Sequence, residues 1–212
     1  MGYLHRAAGG LSGVKERVVR YRKEHKQATR QRIIETAGRR FKRDGIDGSG
    51  VAALMADAGL TNGAFYAHFA SKEDLVATAV ADQLHTQCQS LSPMEPGRAG
   101  VEQLVRQYLS SWHRDAPEDG CPSAALLDEI GRSPDATRRA YTSGVLAVID
   151  EITARLAPGD PHSARVKTLS IYAAMAGILQ LSRALADRQL SDAVLEQGID
   201  NALTLLHAEQ PD

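Results

Sequence analysis

The chain has 212 residues, with 25 Lys+Arg against 26 Asp+Glu, a length that fits one compact unit or two small domains with a substantial core. A net charge of −1 names no partner by itself, and two cysteines, Cys88 and Cys121, exclude a disulfide framework and a Cys-x-x-Cys metal knuckle, making a reducing cytoplasmic compartment the expectation. There is no apolar leader-like run near residue 1, and the longest uncharged run, residues 168–182, is too short and too polar to span a bilayer, so no membrane partner is expected.

Residues 1–26 open with Gly2, Gly9, Gly10 and Gly13 and continue as VKERVVRYRKEHK. This reads as a flexible, basic N-terminal arm, either a solvated tail or a reach toward the DNA backbone. From 27 to 44, Ile33, Ala37 and Phe41 step by four beside Ile34, while Arg30, Arg32, Arg39, Arg40, Lys42 and Arg43 cover the rest. The spacing predicts an amphipathic helix ended at Gly45.

A helix-turn-helix is predicted over residues 49–72, SGVAALMADAGLTNGAFYAHFASK. Ser49 is the expected N-cap of a two-turn helix carrying Val51, Leu54, Met55 and Ala58, broken at Gly59. Thr61 is the expected cap of a second helix, over 61–68, with Phe65 and Phe69 on its inner face. Its outer face then presents Thr61, Asn62, Gly63, Ala64, Tyr66 and His68. Small residues let a backbone sit deep in a groove, Asn62 offers an amide to a base edge, and Tyr66, His68 and Lys72 donate to phosphates. By spacing alone the same stretch is equally an ordinary helical hairpin.

The runs RIIETAGRRFKRDG and GLTNGAFYAHFASKEDL, within residues 29–75, resemble the N-terminal domain of the TetR/AcrR family of helix-turn-helix transcriptional repressors. The resemblance implies that residues 61–68 are the recognition helix, that Tyr66 and His68 hold the DNA backbone, and that Lys72 holds another phosphate. Gly50 stands where the family usually has Thr or Ser, and Ala52 where a longer side chain reaches a base. Base reading is thereby shifted to Asn62 and to close contacts by Gly63 and Ala64.

A connecting helix is predicted from Ser71 to about residue 90, with Glu73 and Asp74 in its first turn and Leu75, Val76, Ala79, Val80 and Leu84 as its stripe. After the turn-rich stretch 92–100, helices are predicted over 101–114, 123–132, 134–156, 162–187 and 191–209, with loops at 116–122 and 157–161, making an all-α chain of about nine helices. Three parts follow: the arm 1–26, a DNA-binding domain 27–72, and a helical ligand-binding and dimerisation domain 73–212. Charge divides the same way: residues 1–72 hold 14 Lys+Arg against 6 Asp+Glu, net +8, and the remainder 11 against 20, net −9, giving −1 together. A basic head on an acidic body suits a protein whose head alone touches double-stranded DNA.

The last two helices carry more apolar surface than one core-facing stripe needs, and Ala173, Ala174, Ala176 and Gly177 permit close approach. A homodimer uses that surplus, as the family resemblance implies; a central core helix in a monomer is the alternative. Tyr108, Trp112, Tyr141, Tyr172 and Met175 are the expected lining of a small-molecule inducer pocket, and each reads equally as core. The segment GCPSAALLDEIGRSPDATRRAY also resembles a subgroup of the family with members that sense electrophiles or oxidants through a nearby cysteine, which makes Cys121 the candidate sensor and leaves Cys88 to packing.

The acidic pairs 118/119, 128/129 and 150/151 lack a partnered nucleophile, and neither H-E-x-x-H nor G-x-S-x-G occurs. No catalytic residue, metal ligand or cofactor is assigned, and an enzyme is not expected. The expected function is a ligand-responsive repressor that binds a pseudo-palindromic operator as a homodimer. The alternatives are a thiol-based repressor using Cys121 and, from another class, a helical small-molecule or partner-binding protein with a vestigial DNA-binding head.

Overall fold

The structure, a computed structural model, describes residues 10–208. Among these residues there is no strand, and the architecture is the expected all-α one, an N-terminal helix-turn-helix unit followed by a helical body.

The first helix, α1, runs Gly10–Asp44, so the segment expected as a flexible arm is helical from Gly10 onward and continuous with the helix expected to start at residue 27. The stretch KERVVRYRKEHKQATRQ contains neither proline nor glycine and is dominated by strong helix formers, which carries the helix past the core. Among the side chains described, burial begins at Ile33; Tyr21 and residues 23–28 are exposed, and residues 1–9 lie outside the described residues. Gly45 ends the helix at φ 81°, the left-handed conformation that glycine adopts without a Cβ penalty.

Helix α2 (Val51–Asp57) follows, and its turn is closed by paired backbone bonds, Gly59 N–H to Ala56 C=O at 2.9 Å and Leu60 N–H to Met55 C=O at 2.8 Å. That pair is the Schellman arrangement, and it demands the φ of 68° that Gly59 adopts. The second limb of the motif is a 3₁₀ helix over Asn62–Ala67 rather than an α-helix. The six residues of NGAFYA, held down at Phe65 and followed by Phe69, are too few to consolidate an α-helical ladder.

Helix α3 (Lys72–Ser90) begins at the motif and ends in the body. Ser71 caps it by accepting from Asp74 N–H at 3.2 Å, while Asp74 accepts from Ala70 N–H at 3.0 Å. The single helix expected over 101–114 is two, α4 (Arg98–Tyr108) and α5 (Ser111–Asp115), because Ser110 turns extended and its hydroxyl caps a new start at His113 N–H. The body is completed by α6 (Pro122–Arg132), α7 (Asp135–Leu156), α8 (Pro161–Ala184) and α9 (Arg188–His207), with Asp187 capping α9 rather than extending α8.

Two apolar clusters form the core. One joins Ile33, Phe41, Leu54, Phe65 and Phe69 of the head to Leu75–Leu84 of α3 and to Leu126 and Ile130 of α6. The other lies among α4, α7, α8 and α9. Helix α3 packs along α7, where a Cβ on Gly144 meets Leu84 at 2.7 Å, and α8 packs along α9, where one on Gly198 meets Ile178 at 2.6 Å. Glycine at these two positions sets how closely the helices approach.

Candidate nucleic-acid interface and buried cavity

The outer face of residues 61–68 is built by anchoring its inner face. Phe65 and Phe69 are almost fully buried with ring centroids 5.7 Å apart, each worth about 1.5–3 kcal/mol of burial, and the Arg30 guanidinium lies 4.7 Å over the Phe69 ring. Thr61, Asn62, Gly63 and Tyr66 are thereby turned to solvent, Tyr66 with 74% of its surface exposed. Ala64, His68 and Lys72 are half-buried along the same edge.

Thr61 stands at the cap position but makes no side-chain capping bond, so its hydroxyl is free for another acceptor. His68 is held below its ordinary pKa by burial and by the nearby Lys26 and Arg30 charges, so it is neutral at pH 7. A Cβ on Gly63 meets nothing within 4 Å, which leaves open space where a duplex backbone approaches.

Ser49 is the exception among the expected interface residues. It is wholly buried, its hydroxyl donates to Gly45 C=O at 2.7 Å, and Gly50 occupies the cap position of α2 instead. The chain turns inward after Gly48, so the residue seals the α1–α2 turn rather than facing outward.

The body clasps the head through one short segment. Lys42 Nζ donates to Gly120 C=O at 2.8 Å, Arg39 pairs with Asp119, and Glu129 Oε2 accepts from Ile46 N–H at 2.8 Å. Residues 119–129 therefore hold the C-terminal turn of α1 and the turn into α2.

Beside this clasp is a cavity of about 300 Å³ between α1, α3, α4 and α5, walled by Lys42, Gln83, Gln87, Leu104, Tyr108, Trp112 and Cys121 among others. Two of the expected pocket residues, Tyr108 and Trp112, line it. Trp112 is 63% exposed at its mouth. Tyr141, Tyr172 and Met175 do not line it: the Tyr172 and Tyr141 hydroxyls both bond Ser123 Oγ at 2.9 Å, and Met175 is buried in the body core. Tyr172 and Met175 border a separate void of about 10 Å³.

Cys121 reaches the cavity as a buried residue with its thiol toward Gln87 Oε1, at 3.4 Å, and the Tyr172 hydroxyl, at 3.1 Å. Its N–H donates to His113 Nε2 at 2.9 Å, and His113 Nδ1 bonds Tyr108 C=O at 2.8 Å. That pattern makes His113 a neutral imidazole protonated on Nδ1, and burial pushes its pKa down to about 4. Burial likewise lowers Lys42 to about 8, against the opposing pull of Cys121 and Asp119.

Lys42, Gln83, Gln87 and His113 are absent from the sequence-based site. Lys42 belongs to a basic face that reads as solvated, and only the 117–122 loop, some 78 positions away, buries it. No local pattern marks such a residue.

Residues 33–79 match the family model for bacterial regulatory proteins of the tetR family. The HTH-type transcriptional regulator TtgR of Pseudomonas putida is 44% identical over 68 residues, and AcrR of Shigella flexneri 38% identical over 58. These alignments take in 32% and 27% of each protein compared, so the chain spans about a third or less of the length of the curated relatives it matches. The fold as a whole is similar to the reduced form of E. coli NemR, with a TM-score of 0.69 at 21% identity, covering 82% of this chain and 95% of that one. The N-terminal segment of the chain is thus similar in sequence to tetR-family bacterial regulatory proteins, and its helices as a whole are similar in fold to NemR.

Proposed function

We propose that this protein is a TetR-family repressor that binds a pseudo-palindromic operator as a homodimer and is released by a small-molecule inducer in its C-terminal body. The observation that carries this reading is the position of the cavity. It opens within the body, yet one wall is Lys42 of α1, whose hydrogen bond to Gly120 is part of the clasp on the DNA-facing motif. A ligand seated there acts on α1 and α3 together. A coupling of about 3 kcal/mol between inducer and operator weakens binding on the order of 100-fold.

In this reading residues 27–72 are the DNA-binding domain, 73–212 form the ligand-binding and dimerisation domain, and residues 10–26 prolong the head's first helix as a basic extension. The DNA-facing set is Thr61, Asn62, Gly63, Ala64, Tyr66, His68 and Lys72. The subunit interface is the outer stripe of α8, where Val166, Leu169, Ala173, Gly177 and Leu181 are exposed at helical spacing, joined by Leu190 and Leu205 of α9. An apolar stripe of this length has a use when a second copy covers it. Two heads then present their recognition segments to half-sites about one helical turn apart. The protein acts in the cytoplasm and performs no catalysis; no described helix is long and apolar enough to cross a membrane.

The test is DNA release. Purified protein bound to an operator chosen from a random duplex pool is titrated with candidate small molecules, and release that disappears when the cavity is blocked by Leu104→Trp supports the reading. Release unaffected by that change overturns it.

A second reading has a specific observation behind it: Cys121 lines the cavity, so an electrophile entering there meets a thiol. A Cys121→Ser protein that still releases DNA on treatment with quinone or peroxide removes that reading.

A further inference from the structure

We infer that the cavity takes a small organic anion, an aromatic carboxylic acid or phenolate, with its oxyanion on Lys42 and the Tyr108 hydroxyl and its ring against Trp112. This deepens the inducer reading and rests on it for biological meaning, though the binding itself does not.

Two side chains on the cavity wall, Lys42 and Tyr108, carry donors without an acceptor among the described residues. Lys42 is 7% exposed, yet its only hydrogen bond among the described residues goes to a neutral carbonyl, leaving two of its three N–H groups without a partner, and no carboxylate lies within ion-pair reach. Asp119, which shares the cavity wall, is taken by Arg39. Tyr108 is 6% exposed, lines the cavity, and its hydroxyl has no hydrogen-bond partner. Buried groups in this state lose free energy that a matching ligand restores, most of all for a charge. An oxyanion is the kind of acceptor that both donors lack. A cation meets Lys42 as a like charge, and a neutral amide brings the ammonium no counter-charge of its own.

The remaining walls fix the other half of the ligand. Leu91, Leu104 and Trp112 supply apolar surface, and the aromatic face of Trp112 suits a flat ring. A volume of about 300 Å³ is at the lower end of ligand pockets, which confines the ligand to a small molecule. Because Lys42 also holds Gly120, an anion that draws its ammonium inward competes with the clasp between α1 and the body.

The charged and titratable groups facing Lys42 are Cys121 from the start of α6, Asp119 and Glu118 from the preceding turn, His113 from α5 and Arg39 from its own helix. Burial brings the Lys42 ammonium into a range where it loses its proton near pH 8, so anion affinity falls about tenfold per pH unit above that point, while a neutral ligand's affinity does not.

Trp112 is the chain's single tryptophan and stands at the cavity mouth, so its emission responds to a ligand stacked on it. The probes are 3-phenylpropanoate and its neutral counterpart 3-phenylpropanamide, titrated into the full-length protein by calorimetry and Trp112 fluorescence at pH 7 to 9.5, with DNA release measured in parallel. Expected are one site per chain, at least tenfold preference for the acid at pH 7, and loss of that preference as pH rises or in Lys42→Met. Tyr108→Phe weakens the acid several-fold. Equal binding of acid and amide, a preference that survives at pH 9.5 in the wild-type protein, or no binding of either at millimolar concentration overturns the inference. Acid binding without DNA release leaves the inference standing and overturns the inducer reading; release by neutral compounds alone does the reverse.

Discussion

Individual side chains in the head divide by what they offer to a duplex. Tyr66 and Lys72 present donors suited to phosphate, and Asn62 presents an amide suited to a base edge. Tyr66→Phe and Lys72→Ala should therefore weaken binding to cognate and scrambled duplexes alike, whereas Asn62→Ala should lose about 1–3 kcal/mol on the cognate site and change the preferred base. Equal losses on both duplexes for Asn62→Ala, read by fluorescence anisotropy at fixed salt, contradict its role. Gly63 makes a sharper case, since nothing in the protein crowds it. Gly63→Val should leave the melting temperature nearly unchanged and abolish tight DNA binding.

His113 carries a pH dependence whose direction follows from its environment. Its folded pKa, about 4, lies below the ordinary 6.5, so the unfolded chain takes up the proton first. The imidazole costs nothing above about pH 6.5, and stability falls as pH drops from there toward 4, at a slope approaching about 1.4 kcal/mol per pH unit. Thermal unfolding across that window should show the decline, and His113→Gln should flatten it. At this scale the sequence exposed what local chemistry decides: Asn62, Tyr66 and Lys72 fall on the outer edge because Phe65 and Phe69 must go inward. Burial of Lys42 and Cys121 is decided by segments far away in the chain, and no spacing announces it.

Among the elements, the most legible were those with both a periodic stripe and a terminating residue. Gly45 and Gly59 end α1 and α2 in the left-handed conformation, and Ser71 caps α3, each where a short residue pattern requires it. The 3₁₀ form of residues 62–67 and the division of 101–114 at Ser110 were not legible, because both depend on whether tertiary packing sustains a further turn. Helix-to-helix distance is set at glycines. Gly198→Val drives a side chain into Ile178, and a loss of about 1–3 kcal/mol should appear as a lower midpoint in urea. The clasp on the head is a second element-scale device: Glu129→Ala leaves the Ile46 N–H without its partner, at about 1–3 kcal/mol, and should loosen the α1–α2 turn in hydrogen exchange before the body is affected.

For the molecule as a whole, the basic head and acidic body and the uncovered apolar stripe on α8 are the features on which the proposed dimer, laying two recognition segments on one duplex, rests. A charge at the C-terminal end of that stripe, Leu181→Glu, should yield a folded monomer in sedimentation that binds an isolated half-site weakly and the full operator no better. The measurement that tests the central claim most directly is selection of bound sequences from a random duplex pool by the wild-type protein at moderate salt. The account predicts enrichment of an inverted repeat with half-sites about one helical turn apart, bound by two chains; a pool without enrichment, or a single half-site bound by one chain, would contradict it.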